Sequence, residues 1–178
     1  MNTGQMLITI GAIFLLSLVI LRTTTNLLIT DNVLNRSKVN LLAVSLATST
    51  IEEANSKAFD KNTVGASVTT TGGLTTRPNL GTESGEEYPL FNDFDDFNSF
   101  RTNPRVDSID IAPGDTLVFQ TFCSVDYVAD STPETPSGTA TWNKKLTVKV
   151  TSTAMKDEET GIQDTIKMST IFSYWYFR

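Results

Sequence analysis

The sequence predicts an α+β fold in which one long N-terminal α-helix, hydrophobic in its first half and amphipathic in its second, packs on a C-terminal antiparallel β-sheet. Three observations predict it. Met1 to Leu21 carries no charged side chain. Beyond Arg22 the apolar residues keep recurring at helical spacing as far as Ala58. From Thr116 onward they alternate instead with Thr, Lys and Ser, the period of two that a half-buried strand requires.

The first element is the apolar stretch. From Met6 to Leu21 only Thr9, Gly11, Ala12 and Ser17 interrupt large apolar residues. Those residues are Met6, Leu7, Ile8, Ile10, Ile13, Phe14, Leu15, Leu16, Leu18, Val19, Ile20 and Leu21. As a helix the stretch spans roughly 24 Å, against a bilayer core of about 30 Å. The uncharged Thr3 to Gln5 and Thr23 to Thr25 bring it close to spanning length. A removed signal peptide would show a basic n-region and a small-x-small cleavage site. No Lys or Arg precedes Met6, and Leu21-Arg22-Thr23 is a poor site.

The second half of the helix reads from Leu27/Leu28 through Leu34, Leu41/Leu42, Val44, Leu46, Ile51, Ala54 and Ala58, with Asp31, Arg36, Lys38, Glu52, Glu53 and Lys57 between them. This is a stripe facing a sheet, and it takes the predicted helix to about Phe59, roughly 85 Å from residue 3. Arg22-Thr23-Thr24-Thr25-Asn26 is its weak point, since Thr and Asn have poor helix propensity and their side chains compete for backbone hydrogen bonds. Local stretching is expected there. The predicted organisation is a hydrophobic helix segment at 1–25 and a head at 26–178, made of an amphipathic helix (26–59), a loop (60–115) and an antiparallel sheet (116–178).

Within the loop, Thr, Gly, Ser and Asn dominate residues 60 to 90 without any sustained period. Then Phe91, Phe94, Phe97 and Phe100 fall at every third position, with Asp93, Asp95 and Asp96 between them. Every third residue is one edge of a short helical turn, so the rings are expected to dock on the sheet while the carboxylates face water. The alternative is that Asp93, Asp95 and Asp96 offer oxygen ligands to Ca²⁺, although the turn glycine and terminal Glu of an EF-hand are missing. Ca²⁺ is the one cofactor left open; no other is expected.

Ile111-Ala112-Pro113-Gly114-Asp115 signals a turn, and three strands follow. Thr116 to Val128 sets Leu117, Phe119, Thr121 and Cys123 on one face. Lys145 to Ala154 alternates Leu146, Val148 and Val150 against Thr147, Lys149 and Thr151. Ile166 to Phe177 places Ile166, Met168, Phe172 and Tyr174 opposite Ile171, Trp175 and Phe177. The connections Asp130 to Ala140 and Lys156 to Asp164 hold Pro, Gly and charge, so neighbouring strands are expected to pair antiparallel. The crowded two-sided end of the last strand makes Trp175 and Phe177 candidates for an intersubunit contact.

Composition narrows the function. Fourteen basic against twenty acidic residues give a net charge of −6 and a pI near 4.6, which argues against a grip on nucleic-acid phosphates. The chain has no histidine and one cysteine, Cys123, so the commonest proton shuttle and an internal disulfide are both missing. Cys123 is expected to pack as a small hydrophobe. No nucleophile and base pair, phosphate-cradling glycine loop or zinc spacing is present, and no enzyme activity is expected.

The first 60 residues resemble a type IV pilin or type II secretion pseudopilin aligned from its mature end. The Asp-rich aromatic stretch, and the run from Tyr127 through Trp142-Asn143-Lys144-Lys145-Leu146-Thr147-Val148-Lys149-Val150-Thr151, are similar to minor pilins of the MSHA type. The resemblance implies a structural subunit of a helical homopolymer at the bacterial surface, with an inner-membrane precursor and an inner-membrane assembly machine as partners. It makes the twelve apolar residues from Met6 to Leu21 the filament core or membrane segment, and gives Met1 and Gln5 the assembly positions. The family carries a carboxylate at the fifth position, taken to offset a neighbour's N-terminal charge in an apolar core. Gln5 cannot neutralise a charge. Met1 is read as the mature end; cleavage after Gly4 is the other register. A major subunit, a minor pilin or pseudopilin, and a monomeric membrane-anchored binding module remain alternatives.

Overall fold

The computed structural model describes residues 3–156 and 161–174. The first element, α1 (Thr3–Asn55), is helical throughout. The chain divides into two compact units, 1–39 and 40–178, so α1 contributes to both.

Within the first unit every described side chain from Thr3 to Lys38 is exposed. The expected weak point is not stretched. Thr23, Thr24 and Thr25 each donate their hydroxyl to the carbonyl four residues back, on Val19, Ile20 and Leu21, at 2.9 Å. Ser17 and Thr30 do the same to Ile13 and Asn26. The hydroxyls that compete with a helix in isolation here satisfy themselves within it.

In the second unit α1 lays residues 40–55 on the sheet, and the centre of the face it buries is made of small side chains. Ala43, Ala47, Thr50 and Ala54 have no accessible surface, whereas Leu41 is 70% exposed and Val44 38%. The buried positions are spaced four, three and four apart, one face of a helix. Small side chains there let the helix backbone approach closely. Of the expected stripe, Ala54 is buried and Leu42, Leu46 and Ile51 are half-buried beside these small residues, while Leu41 and Val44 are exposed. The helix also ends earlier than expected. Ser56 donates its backbone N–H to Glu52 and Glu53 and its hydroxyl to the Glu53 carbonyl at 2.6 Å, which uses up carbonyls that another turn would need.

Five antiparallel strands follow: β1 (Arg105–Ala112), β2 (Asp115–Ala129), β3 (Thr132–Pro136), β4 (Asn143–Lys156) and β5 (Gln163–Ser173). The sheet order is β1-β2-β4-β5, with β3 pairing β2. Three of these are the expected strands, while β1 and β3 lie in segments read as connections. β1 and β2 form a hairpin around Pro113-Gly114, where Gly114 has φ +87°, a conformation glycine adopts without strain. The β2–β4 pairing sets Cys123 opposite Val148 and Val125 opposite Leu146. Phe119, Thr121, Cys123, Val125 and Tyr127 of β2 and Leu146, Val148 and Val150 of β4 are buried, as their alternation predicts. Cys123 is a buried free thiol, and burial pushes it up to about 12.

Between α1 and β1 the chain wraps the sheet in short 3-10 turns. The longest, Asp95–Arg101, takes over the β2 edge where β1 stops, since the last β1 pair in that direction is Arg105 with Thr121. Asn98 accepts the Val125 N–H through Oδ1 at 3.0 Å, and Arg101 donates to the Val125 carbonyl at 3.0 Å. Two side chains thus replace the missing strand.

Candidate functional site

Two regions carry features beyond those a small α+β domain needs. The first is the apolar part of α1. Met6, Leu7, Ile8, Ile10, Ile13, Phe14, Leu15, Leu16, Leu18, Val19, Ile20 and Leu21 are all exposed, from 43% at Leu18 to 73% at Ile8. They lie all round the helix, and α1 contains an 18-residue window of mean hydropathy 2.3 with none of it buried. A helix that is apolar on every side belongs in lipid or among other helices. Gln5 is exposed and its carbonyl accepts the Thr9 hydroxyl at 3.1 Å. Met1, Trp175 and Phe177 lie outside the described residues.

The second region is a buried polar cluster at the end of the sheet. It grows from a backbone pairing. Ala58 and Asp93 form an isolated parallel bridge, with Ala58 N–H donating to Asn92 and Phe94 N–H donating to Ala58. That bridge sets Phe59-Asp60 beside the Asp93–Asp96 turn, and both face β4 at Lys144. Lys144 is in phase with Leu146, Val148 and Val150, so the pleat aims it inward, and it has no accessible surface.

The Lys144 ammonium donates to the Phe59 carbonyl at 2.7 Å, to Asp60 Oδ2 at 2.9 Å and to Asp95 Oδ1. The Phe59 and Tyr127 rings lie 4.6 Å and 5.3 Å from Nζ, within cation–π range. Asp60 also accepts from the Asn62 N–H, the Thr75 N–H and the Thr75 hydroxyl at 2.9 to 3.1 Å, while the Tyr127 hydroxyl, 3.3 Å from Asp60 Oδ2, makes its shorter bond to the Thr75 carbonyl at 2.8 Å. Burial pushes its carboxyl up, but the Lys144 charge and these donors outweigh burial and hold it below the usual range.

Asp93, Asp95 and Asp96 are buried rather than solvated, which corrects the expectation that they face water. The four phenylalanines do not line one edge either. Phe94 packs on Phe172 of β5 with centroids 5.1 Å apart, while Phe91, Phe97 and Phe100 cluster with Tyr88. Asp96 Oδ2 accepts the N–H groups of Asn92 and Asp93 at 2.9 Å, and Asp93 Oδ1 accepts that of Asp95 at 2.8 Å. Asp93 Oδ2 and Asp96 Oδ1 are buried with no partner. Burial, then the neighbouring charges of Asp95 and Asp96, push the Asp93 carboxyl up to about 9. It is held as a neutral acid. Burial also raises Asp95 despite the opposing Lys144 charge, and raises Asp96 despite its amide donors.

One oxygen each of Asp93 and Asp96 thus serves the fold's own N–H groups and Asp95 meets Lys144, while the second oxygens of Asp93 and Asp96 stay unpartnered. A different trio, Glu83, Glu86 and Asp96, brings one carboxylate oxygen each within 4.8 Å of the others. Lys61 already pairs with Glu83 at 3.1 Å.

Sequence reasoning missed Asp60 and Lys144. The signal for Lys144 was present in its phase with the buried β4 residues. That for Asp60 was a capping pattern with Thr63, realised in the turn Lys61–Thr63.

Comparison with protein-family models, with curated proteins and with solved structures returns no match. The architecture, a long apolar N-terminal helix whose distal part packs on an antiparallel sheet, is pilin-like.

Proposed function

We propose that the chain is a structural subunit of a type IV pilus-like extracellular filament, held in the inner membrane before assembly and polymerised through its N-terminal helix. The observation that carries the reading is the run of twelve large apolar side chains from Met6 to Leu21, exposed on all sides of α1 with no charge among them. Copies of such a helix bury one another's surface once they leave lipid, at roughly 25 cal/mol per Å² of apolar area removed from water. Gln5 adds a polar amide at the start of the segment without a charge to compensate. A minor subunit, whose neighbours do not all repeat this sequence, places the least demand on that position. The head supplies the outward surface, and no catalytic role is proposed for it.

A monomeric membrane-anchored binding module would use the same helix as a permanent span. Shearing separates the two. Surface material sheared from producing cells is imaged by electron microscopy and probed for the chain by mass spectrometry. The filament reading expects the chain in helical fibres, and expects Ile13→Lys with Leu16→Lys to remove it from them while the folded head persists in membranes. Monomer confined to detergent-solubilised membranes, with none in sheared fibres, would sink the filament reading.

A further inference from the structure

We propose that Lys144 and Asp95 condense inside the folded head into an intramolecular isopeptide bond, Lys144 Nζ to Asp95 Cγ, with release of one water. The proposal is independent of filament assembly, since all its groups lie in residues 40–178.

Four observations lead to it. The primary amine is sealed from solvent and in direct contact with the Asp95 carboxyl, with both residues at 0 to 1% exposure. That contact holds the amine nitrogen next to the carboxyl carbon, which it reaches by swinging out of the carboxyl plane. Bulk water, which outcompetes an amine for a carboxyl and reverses amide formation, is excluded by the buried rings of Phe59 and Tyr127, 4.6 Å and 5.3 Å from Nζ.

The two carboxyls beside Lys144 are also unequal. Asp60 is fixed as a charge by three donors besides Lys144, so its carbon is a poor electrophile. Asp95 has, apart from Lys144, only a long contact from the Gly81 N–H at 3.4 Å and its neighbour Asp93. Asp93 in turn accepts the Asp95 N–H at Oδ1 and buries its other oxygen without a partner, and burial with the Asp95 and Asp96 charges holds it as a neutral acid beside Asp95.

The step balances without an oxidant or co-reactant. The ammonium passes one proton along its hydrogen bond to Asp95, freeing the Nζ lone pair, and the neutral Asp93 beside it favours the protonated form of Asp95. Nζ bonds to Cγ, a second proton moves from the nitrogen to an Asp95 oxygen, and one Asp95 Cγ–O bond breaks. That oxygen leaves as water, with Asp60 a carboxylate and Asp93 a neutral acid throughout. In sum, two of the three ammonium hydrogens depart with one Asp95 oxygen, and an ammonium and a carboxylate become one neutral amide. The product removes a charge pair from a dry core, where each ion is costly to hold. Asp60 keeps its three remaining donors. Asp93 is a positioning residue that sets the rate, not a part of the bond.

The test is the intact mass of the full-length chain, purified in detergent and folded by circular dichroism, compared with the mass calculated from its measured N-terminus. The wild type is expected to be lighter by one water, with tandem mass spectrometry of a digest showing a branched peptide joining Asp95 to Lys144. Asp95→Ala and Lys144→Met are expected at full mass. Asp93→Asn is expected to start at full mass and lose water slowly on incubation. A folded wild type at full mass overturns the proposal, and that result stands even if the variants fail to fold. So does a deficit that persists in Asp95→Ala, or a branch that maps to Asp60.

Discussion

The close approach of α1 to the sheet can be tested at Ala47. Its side chain has no accessible surface and lies on the same helix face as Ala43, Thr50 and Ala54. On either side of it, Thr48 reaches Met168 of β5 at 3.9 Å and Arg105 of β1 reaches Thr50 at 3.3 Å, so this stretch of helix is fastened to both edge strands. Ala47→Leu adds three carbons where no surface remains, and they must displace helix or sheet. Overpacking of this kind costs about 1–3 kcal/mol. For a chain of this size each kcal/mol lowers the midpoint by roughly 2–4 °C, so the expected fall is about 3–10 °C. The reference is Leu41→Ala, the reverse change of three carbons at an exposed position, which should stay within about 0.5 kcal/mol. Thermal unfolding of both full-length variants in detergent, followed by tryptophan fluorescence, gives the comparison. If Leu41→Ala destabilises the head and Ala47→Leu does not, the leucines face the sheet and the assignment of the buried face is wrong.

Asp93→Asn should change the pH dependence of stability. Burial and the Asp95 and Asp96 charges raise the folded carboxyl from 3.8 to about 9. Below the unfolded value both states hold the proton and the contribution is complete. As pH rises from there toward 9 the unfolded chain ionises while the folded one does not, so the wild type loses stability, by at most about 1.4 kcal/mol per pH unit. The variant has no such loss. Its advantage over the wild type should therefore grow between pH 4 and 9 in urea titrations, and parallel curves would contradict the assignment. Asn98→Ala should cost about 1–3 kcal/mol by stranding the Val125 N–H and should speed hydrogen exchange of that amide, whereas unchanged protection there would mean another group closes the β2 edge.

The parts of this fold legible in the sequence are those that repeat. The apolar opening of α1 and the alternation in β2, β4 and β5 each state their period several times over. β1 does not, because its half-buried face carries Arg105 and Asp107, which pair at 3.0 Å, while Val106 and Ile111 point outward. The centre of the burying face of α1 was obscured in a similar way, since close packing there selects small residues and leaves the larger Leu42, Leu46 and Ile51 half-buried at its borders. At the polar cluster residue types are legible and their partners are not. Asp93, Asp95 and Asp96 read as a solvated face because nothing local shows that a lysine from another strand will meet one of them. The phase of Lys144 announced a buried cation, but not which carboxylates would accompany it.

The distances along the chain between those partners have a consequence for how the head is made. Lys144 meets Asp60 and Asp95 across 84 and 49 intervening steps of sequence, and every one of the acids is synthesised before the base. Until β4 leaves the ribosome, Asp60 and Asp95 have no cation to meet and are better left in water than buried. The turns that carry them therefore have reason to stay open, and such long-range closure is slow. Lys144 serves as the last key turned. A head lacking it should wait, hydrated and unlocked, rather than settle around an incomplete interior.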